Sequence, residues 1–205
     1  MANIQEKISA LCPAATFDET GELLLVNVPD ENWHALAKAL KEQLHFDMLN
    51  AVAGVDWKEA LGCMYYLTNT ETQEMIHVKV ATTDREHPRL HTVSDIWAVA
   101  NYQEREVYDF FAIEFINHPD MRRFFLRNDW VGYPLRKDYD ASPELNPLRL
   151  EAEENEDDTY SLVEDENGEL KRIDKKVFGP EEYVINVGPQ HPSTHGVMRY
   201  RASID

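Results

Sequence analysis

His191 and His195 stand four residues apart in the run Gly188-Pro189-Gln190-His191-Pro192-Ser193-Thr194-His195-Gly196. A neutral imidazole donates one hydrogen bond to a carbonyl oxygen, and an imidazolium delivers a proton when that oxygen is reduced. On a helix the same i, i+4 spacing makes a zinc-like pair. Pro192 between the histidines, the missing Glu general base and the strand-like runs on either side, Tyr183 to Val187 and Val197 to Arg201, all disfavour metal.

A second dense group runs from Glu104 to Asp138, EREVYDFFAIEFINHPDMRRFFLRNDWVGYPLRKD. Read alone, Glu104-Arg105-Glu106 is a solvated helical turn whose ion pairs contribute roughly 0.2 to 0.5 kcal/mol each. However, Tyr108, Phe110, Phe111, Phe115, Phe124 and Phe125 crowd beside Asp109, Asp120, Arg122 and Arg123, so few of these charges lie far from apolar surface. His118 next to Asp120 offers acid–base chemistry in principle, but a capping or buried hydrogen-bonded imidazole is the simpler reading. No second ligand stands at a metal spacing. A Gly-rich phosphate loop, a nucleophile elbow and a Cys cluster are all missing from the sequence, which leaves a freestanding His-dependent hydrolase without a nucleophile.

The elements that would carry these groups read as α+β: a mixed, largely antiparallel sheet covered by helices on one face, with an acidic C-terminal extension. Ile4 to Leu11 reads as a short helix and Glu22 to Val28 as a strand that Pro29 ends. Asp30 is placed to cap a helix from Glu31 to Leu44, with Trp33, Leu36, Ala37, Leu40 and Leu44 on its core stripe. Strands follow over Met48 to Trp57, Cys63 to Thr68 and Met75 to Ala81, and His91 to Val93 adds a fourth. Ser94 or Asp95 is placed to cap a helix reaching Phe111, with Trp97, Asn101, Glu104, Tyr108 and Phe111 on one face. His118-Pro119-Asp120 reads as a further helix start. There Phe124, Phe125 and Leu126 would point inward while Arg122 and Arg123 bridge to acidic neighbours.

The spacing Glu-Arg-Glu-x-Tyr-Asp-Phe-Phe, then His118-Pro119-Asp120, Arg122-Arg123 and Trp130-x-Gly132-x-Pro134-Leu135-Arg136-Lys137-Asp138-Tyr139, resembles the 30 kDa, C-type subunit of respiratory complex I. The similarity spans roughly residues 20 to 139 and is specific from Asp95-Ile96-Trp97 onward. That resemblance implies a non-redox subunit in the peripheral arm of a proton-pumping NADH:quinone oxidoreductase. Glu104, Arg105, Glu106, Asp109, His118, Arg122, Arg123, Arg136, Lys137 and Asp138 would hold an interface or brace the loop that forms it. The family pattern leads us to expect an aromatic where Gln103 stands, and Gly where Ala112 and Asn117 stand. Glu182 to Arg199 in turn resembles the opening of the D-type, quinone-site subunit of the same enzyme, with His195 facing the quinone and His191 supporting its loop. One chain would then join a C-like domain (1–139), an acidic linker or partner-wrapping arm (140–182) and an incomplete D-like start (183–205).

The resemblance further implies that this chain binds no cofactor itself. Quinone and NAD would serve the whole complex, with FMN and iron–sulfur clusters in other subunits. Its partners would be the D-type subunit, within the same polypeptide in a fusion, and iron–sulfur subunits. The alternative inside the broad family is the equivalent small subunit of a membrane-bound hydrogenase or ferredoxin-linked oxidoreductase.

Composition agrees with a globular domain plus an extension. The net charge is −18, which argues against nucleic acid and against direct contact with anionic lipid, since both reward Lys and Arg. Residues 140–182 hold 15 acidic and 5 basic residues, so that stretch alone carries more than half of the charge. Cys12 and Cys63 support neither a disulfide framework nor a Cys-rich metal site. No run of about 18 apolar residues appears. Membrane association would therefore go through partner subunits, and the resemblance implies the cytoplasmic face of a bacterial membrane.

Overall fold

The computed structural model describes residues 4–21, 23–126, 130–141, 158–165 and 167–176, together with the backbone of two short strands at 183–185 and 200–202. Helix α1 (Ile4–Leu11) precedes strands β1 (Thr16–Asp18) and β2 (Leu24–Asn27), helix α2 (Asp30–Glu42), and strands β3 (Met48–Asp56), β4 (Leu61–Thr68), β5 (Met75–Thr82) and β6 (Arg89–His91). Then come helix α3 (Ala100–Phe111) and strands β7 (Glu114–Ile116), β8 (Asp158–Glu164), β9 (Leu170–Lys176), β10 (Tyr183–Ile185) and β11 (Tyr200–Ala202).

The main sheet has the order β1-β2-β5-β4-β3, antiparallel throughout except for the parallel pair β2 and β5. Alternation decides its faces: Leu61, Cys63, Tyr65 and Leu67 of β4, with Ile76, Val78 and Val80 of β5, are all buried. The register sets Tyr65 opposite Val78 and Val52, and Cys63 opposite Val80 and Gly54, so these residues share one face. Trp33 of α2 lies 4.6 Å from Tyr65 on that face. A Cβ on Gly54 would fall 2.5 Å from Phe111 of α3, so α3 also packs there and needs glycine beneath it. Both long helices thus cover the same side of the sheet, as the strand and helix periodicities require.

A second sheet, β6-β7-β8-β9, holds β6, β7 and β8 parallel and β9 antiparallel. Two of its strands come from the acidic stretch 140–182, where Tyr160 and Leu162 are buried against β7. Strands β10 and β11 pair antiparallel, Tyr183 opposite Ala202.

Several expected elements differ in place. Asp30 is the first residue of α2 rather than its cap, because its carboxylate accepts from the backbone N–H of His91 at 2.7 Å and is spent on β6. The helix expected from Ser94 begins at Ala100. Glu104 takes the Val93 N–H at 2.9 Å and the Thr92 hydroxyl, which holds residues 92–94 outside helical geometry. The buried stripe of α3 is accordingly Ala100, Glu104, Val107 and Phe111, with Arg105 and Asp109 beside it. No helix starts at His118. Instead, Ala112 and Asn117 both adopt left-handed backbone, φ 68° and 64°, at the two positions where glycine was expected. Each turns the chain sharply on either side of β7.

Candidate docking interface

Most of the described charged residues of the 104–138 segment fall into three constellations. The first surrounds Asp109, which is fully buried on α3. Its Oδ1 accepts from the Arg123 guanidinium at 2.8 Å, and its Oδ2 accepts from the backbone N–H groups of Phe124, Phe125 and Leu126 at 3.0, 2.6 and 2.9 Å. Arg123 reaches onward to the carbonyls of Trp130 and Gly132 at 3.3 and 3.1 Å, and its guanidinium lies 4.9 Å from the Tyr133 ring. Such charge-assisted bonds are the strong ones. One carboxylate therefore ties the 123–126 loop to α3, and its arginine ties in the 130–133 loop.

This tethering sends the aromatic side chains outward. With the amides of residues 124–126 turned towards Asp109, Phe124 and Phe125 are 46% and 58% exposed, whereas the sequence pattern points them inward. The backbone here is not helical, so helical periodicity misassigns the face. Tyr102, itself 58% exposed, lies 5.7 Å from Phe124. Phe125 stacks on Phe110 at 5.7 Å and meets Phe124 edge-on at 4.6 Å. Beneath them Arg105 places its guanidinium 5.1 Å from Phe124 and 5.8 Å from Tyr102, with bonds to the carbonyls of Arg122 and Arg123. Asp120 faces it at 3.4 Å and also accepts from Arg122 at 3.0 Å. Exposed aromatics in contact with one another are a mark of interaction surface rather than scattered surface residues.

The second constellation is buried. Glu104 and His118 both have no exposed surface, and His118 Nε2 lies 3.8 Å from Glu104 Oε2. His118 Nδ1 accepts the Asp120 N–H at 3.0 Å, so Nε2 carries the ring proton and donates to the Asn101 carbonyl at 3.1 Å. Burial holds His118 down at about 4 and pushes Glu104 up to about 8. With both ring nitrogens committed and no exposure, His118 has no access to a substrate. It braces the turn that carries Asp120.

The third sits at the end of β3. Asp56 receives a bidentate Arg85 at 2.8 and 3.0 Å and the Lys137 N–H at 2.9 Å. Asp138 bonds both Arg136, at 3.0 Å, and Arg85, at 3.1 Å. The Arg85 guanidinium holds Asp56 far below the usual carboxylate range, and Arg136 holds Asp138 down to about 2. Lys137 thus contributes its backbone here, while its side chain and that of Glu106 are exposed. Asp56, Arg85, Tyr102 and Thr92 are absent from the set that the sequence singles out. Asp56 and Lys137 are 81 positions apart, and nothing local announces the pair. His191 and His195 lie outside the described residues. Among the described residues no group of three or more His, Cys, Asp or Glu is placed to hold a metal ion. No helix among them is long and apolar enough to cross a membrane.

Residues 26–144, which contain all three constellations, match the family described as respiratory-chain NADH dehydrogenase, 30 Kd subunit. The chain belongs to this 30 Kd subunit family. Among curated relatives, the fused C/D subunit of NADH-quinone oxidoreductase from Phocaeicola vulgatus is 50% identical over 181 residues, covering 88% of this chain and 34% of that protein. The C-type NADH-quinone oxidoreductase subunit of Geotalea uraniireducens is 37% identical over 133 residues, 63% of this chain and 80% of that one. The chain therefore spans about a third of the length of the C/D relatives, and their similarity bears out a C-type subunit in a fused C/D arrangement. Among solved structures, a chain in the membrane-bound sulfane sulfur reductase, an archaeal respiratory membrane complex, superposes with a TM-score of 0.61 at 28% identity, covering 75% of this chain and 95% of that one.

Proposed function

We propose that this member of the 30 Kd subunit family is a non-redox docking domain in the peripheral arm of a proton-pumping NADH:quinone oxidoreductase. It braces the quinone-site part and an iron–sulfur subunit so that electrons cross fixed distances. The observation that carries this reading is the exposed Tyr102-Phe124-Phe125 cluster, displayed on a loop that buried Asp109 and its partner Arg123 tie to α3. Interfaces concentrate their binding energy in such aromatic and arginine anchors. In this reading His195 and His191 open the quinone-site part, while FMN and iron–sulfur clusters belong to other subunits. Attachment to the cytoplasmic face of the membrane runs through partner subunits.

The test is Phe125→Asp, alone and with Phe124→Asp, in the full polypeptide expressed with its complex. The chain is expected to keep its thermal midpoint, while its incorporation into the complex and NADH:quinone reductase activity fall at least tenfold. Full incorporation of the double variant overturns the proposal. The match to the sulfane sulfur reductase chain favours one second reading, a similar docking domain in a complex with another electron donor. NADH oxidation by the purified complex separates the two.

A further inference from the structure

The β8–β9 hairpin lies within the acidic stretch that follows the C-like domain, yet it is stitched into that domain. Met121 N–H donates to the Tyr160 carbonyl at 2.9 Å and Asn117 N–H to the Leu162 carbonyl at 2.6 Å. Side chains of the hairpin enter polar sockets around β7: the Tyr160 hydroxyl donates to Glu114 at 2.8 Å, Ser161 donates to the Pro119 carbonyl at 3.1 Å, and Thr159 bonds Asp120. The sockets repeat along alternate faces of one strand, so the register is fixed.

At the far end of β8 stands an imidazole between two carboxylates. His91 Nδ1 lies 2.7 Å from Asp30 Oδ2 on α2, and His91 Nε2 lies 3.2 Å from Glu164 Oε2 on β8. Ionised carboxylates only accept, so a ring that bonds both must donate from both nitrogens. The groups facing His91 are Asp30 from α2 and Glu164 from β8. Its β7 neighbour Ile116 is apolar, and Arg89, two residues earlier on β6, is paired with Glu114 at 3.1 Å.

We propose that the β8–β9 hairpin is a clasp that anchors the acidic stretch to the C-like domain, and that His91 closes it only while its imidazole carries both ring protons. The clasp sets the point from which the polypeptide leaves the domain towards the D-like segment, whatever partner occupies the aromatic surface. In agreement, the Asp30 hydrogen bond, reinforced by Glu164, raises His91 to about 9. The sign follows: the clasp is fully closed below about 6.5, where His91 would be protonated even in an unfolded chain, and opens as pH rises through about 9.

The experiment is hydrogen exchange of the full chain, read peptide by peptide, for wild type, His91→Gln and Glu164→Gln, with intrinsic rates corrected for pH. At pH 7 both variants are expected to lose about tenfold or more protection over 158–176, the size of one charge-assisted hydrogen bond. The β4–β5 peptides stay unchanged. Wild type is expected to lose the same protection between pH 8 and 10, and Glu164→Gln to show a smaller step. Nitrogen-15 spectra of the His91 ring supply a readout independent of folding, with both nitrogens protonated at pH 7.5. A neutral ring at that pH overturns the proposal, as does a hairpin equally protected in wild type and Glu164→Gln. Loss of assembly in the aromatic-surface variants with an intact clasp bears on docking alone.

Discussion

Two carboxylates on α3, five residues apart and both fully buried, are treated in opposite ways. Asp109 is given a guanidinium and three backbone amides, and it becomes the post on which the aromatic loop hangs. Glu104 is given one backbone N–H and one hydroxyl but no cation, and burial raises it to about 8. Burial alone does not decide what a carboxyl group does. The donors that the tertiary structure brings to it do, because an ionised group taken out of water must recover its lost solvation from fixed dipoles and counter-charge.

The sharpest way to break this comparison is Asp109→Ala, which leaves the largely covered Arg123 without its carboxylate partner and frees three amides. A loss of about 3 to 5 kcal/mol in denaturant unfolding is expected, and a loss below about 1 kcal/mol would show that Asp109 is not the post. Arg105→Ala comes next, at about 1 to 3 kcal/mol, since it removes a buried guanidinium from beneath the aromatic cluster. If stability and assembly are both unchanged, Arg105 neither braces nor docks.

Glu104→Gln sharpens the other side. At pH 7 it is expected to shift stability by no more than about 1 kcal/mol, because amide and protonated carboxyl make similar bonds. Its signature is in the pH dependence. Between about 4.5 and 8 the folded state holds a proton on Glu104 that the unfolded chain releases, so stability falls as pH rises. His118, lowered to about 4, acts in the opposite sense from about 6.5 downward. The two slopes oppose each other below about 6.5, and above it Glu104 and His91 both make stability fall. Unfolding free energies measured from pH 6.5 to 8.5 should therefore decline less steeply in Glu104→Gln, and least in the double variant with His91→Gln. The smallest expected effect is Ala112→Gly, a gain of about 0.5 to 1 kcal/mol from relieving a left-handed alanine at the end of α3. Calorimetry showing a loss would mean that Ala112 packs better than it twists.

The sequence by itself determined the α+β class, helices α1 and α2, and strands β3 to β5 to within a residue or two. Each buries a face whose apolar period is written locally. It also determined the family, through a gapped motif confined to residues 104–139, and the family pattern marked Ala112 and Asn117 as positions where glycine was expected. Only the tertiary structure decided that Phe124 and Phe125 face outward, because the amides that turn them are claimed by a carboxylate 15 and 16 positions away. It alone joined Asp56 to Lys137, and His91 to Asp30 and Glu164. Acidic composition marked residues 140–182 as linker or arm, and part of that stretch extends the second sheet, β8 pairing with β7 and β9 with β8. Local pattern sets which residues seek burial, whereas a strand edge or a buried charge takes its partner from whatever distant segment the fold brings within hydrogen-bonding reach.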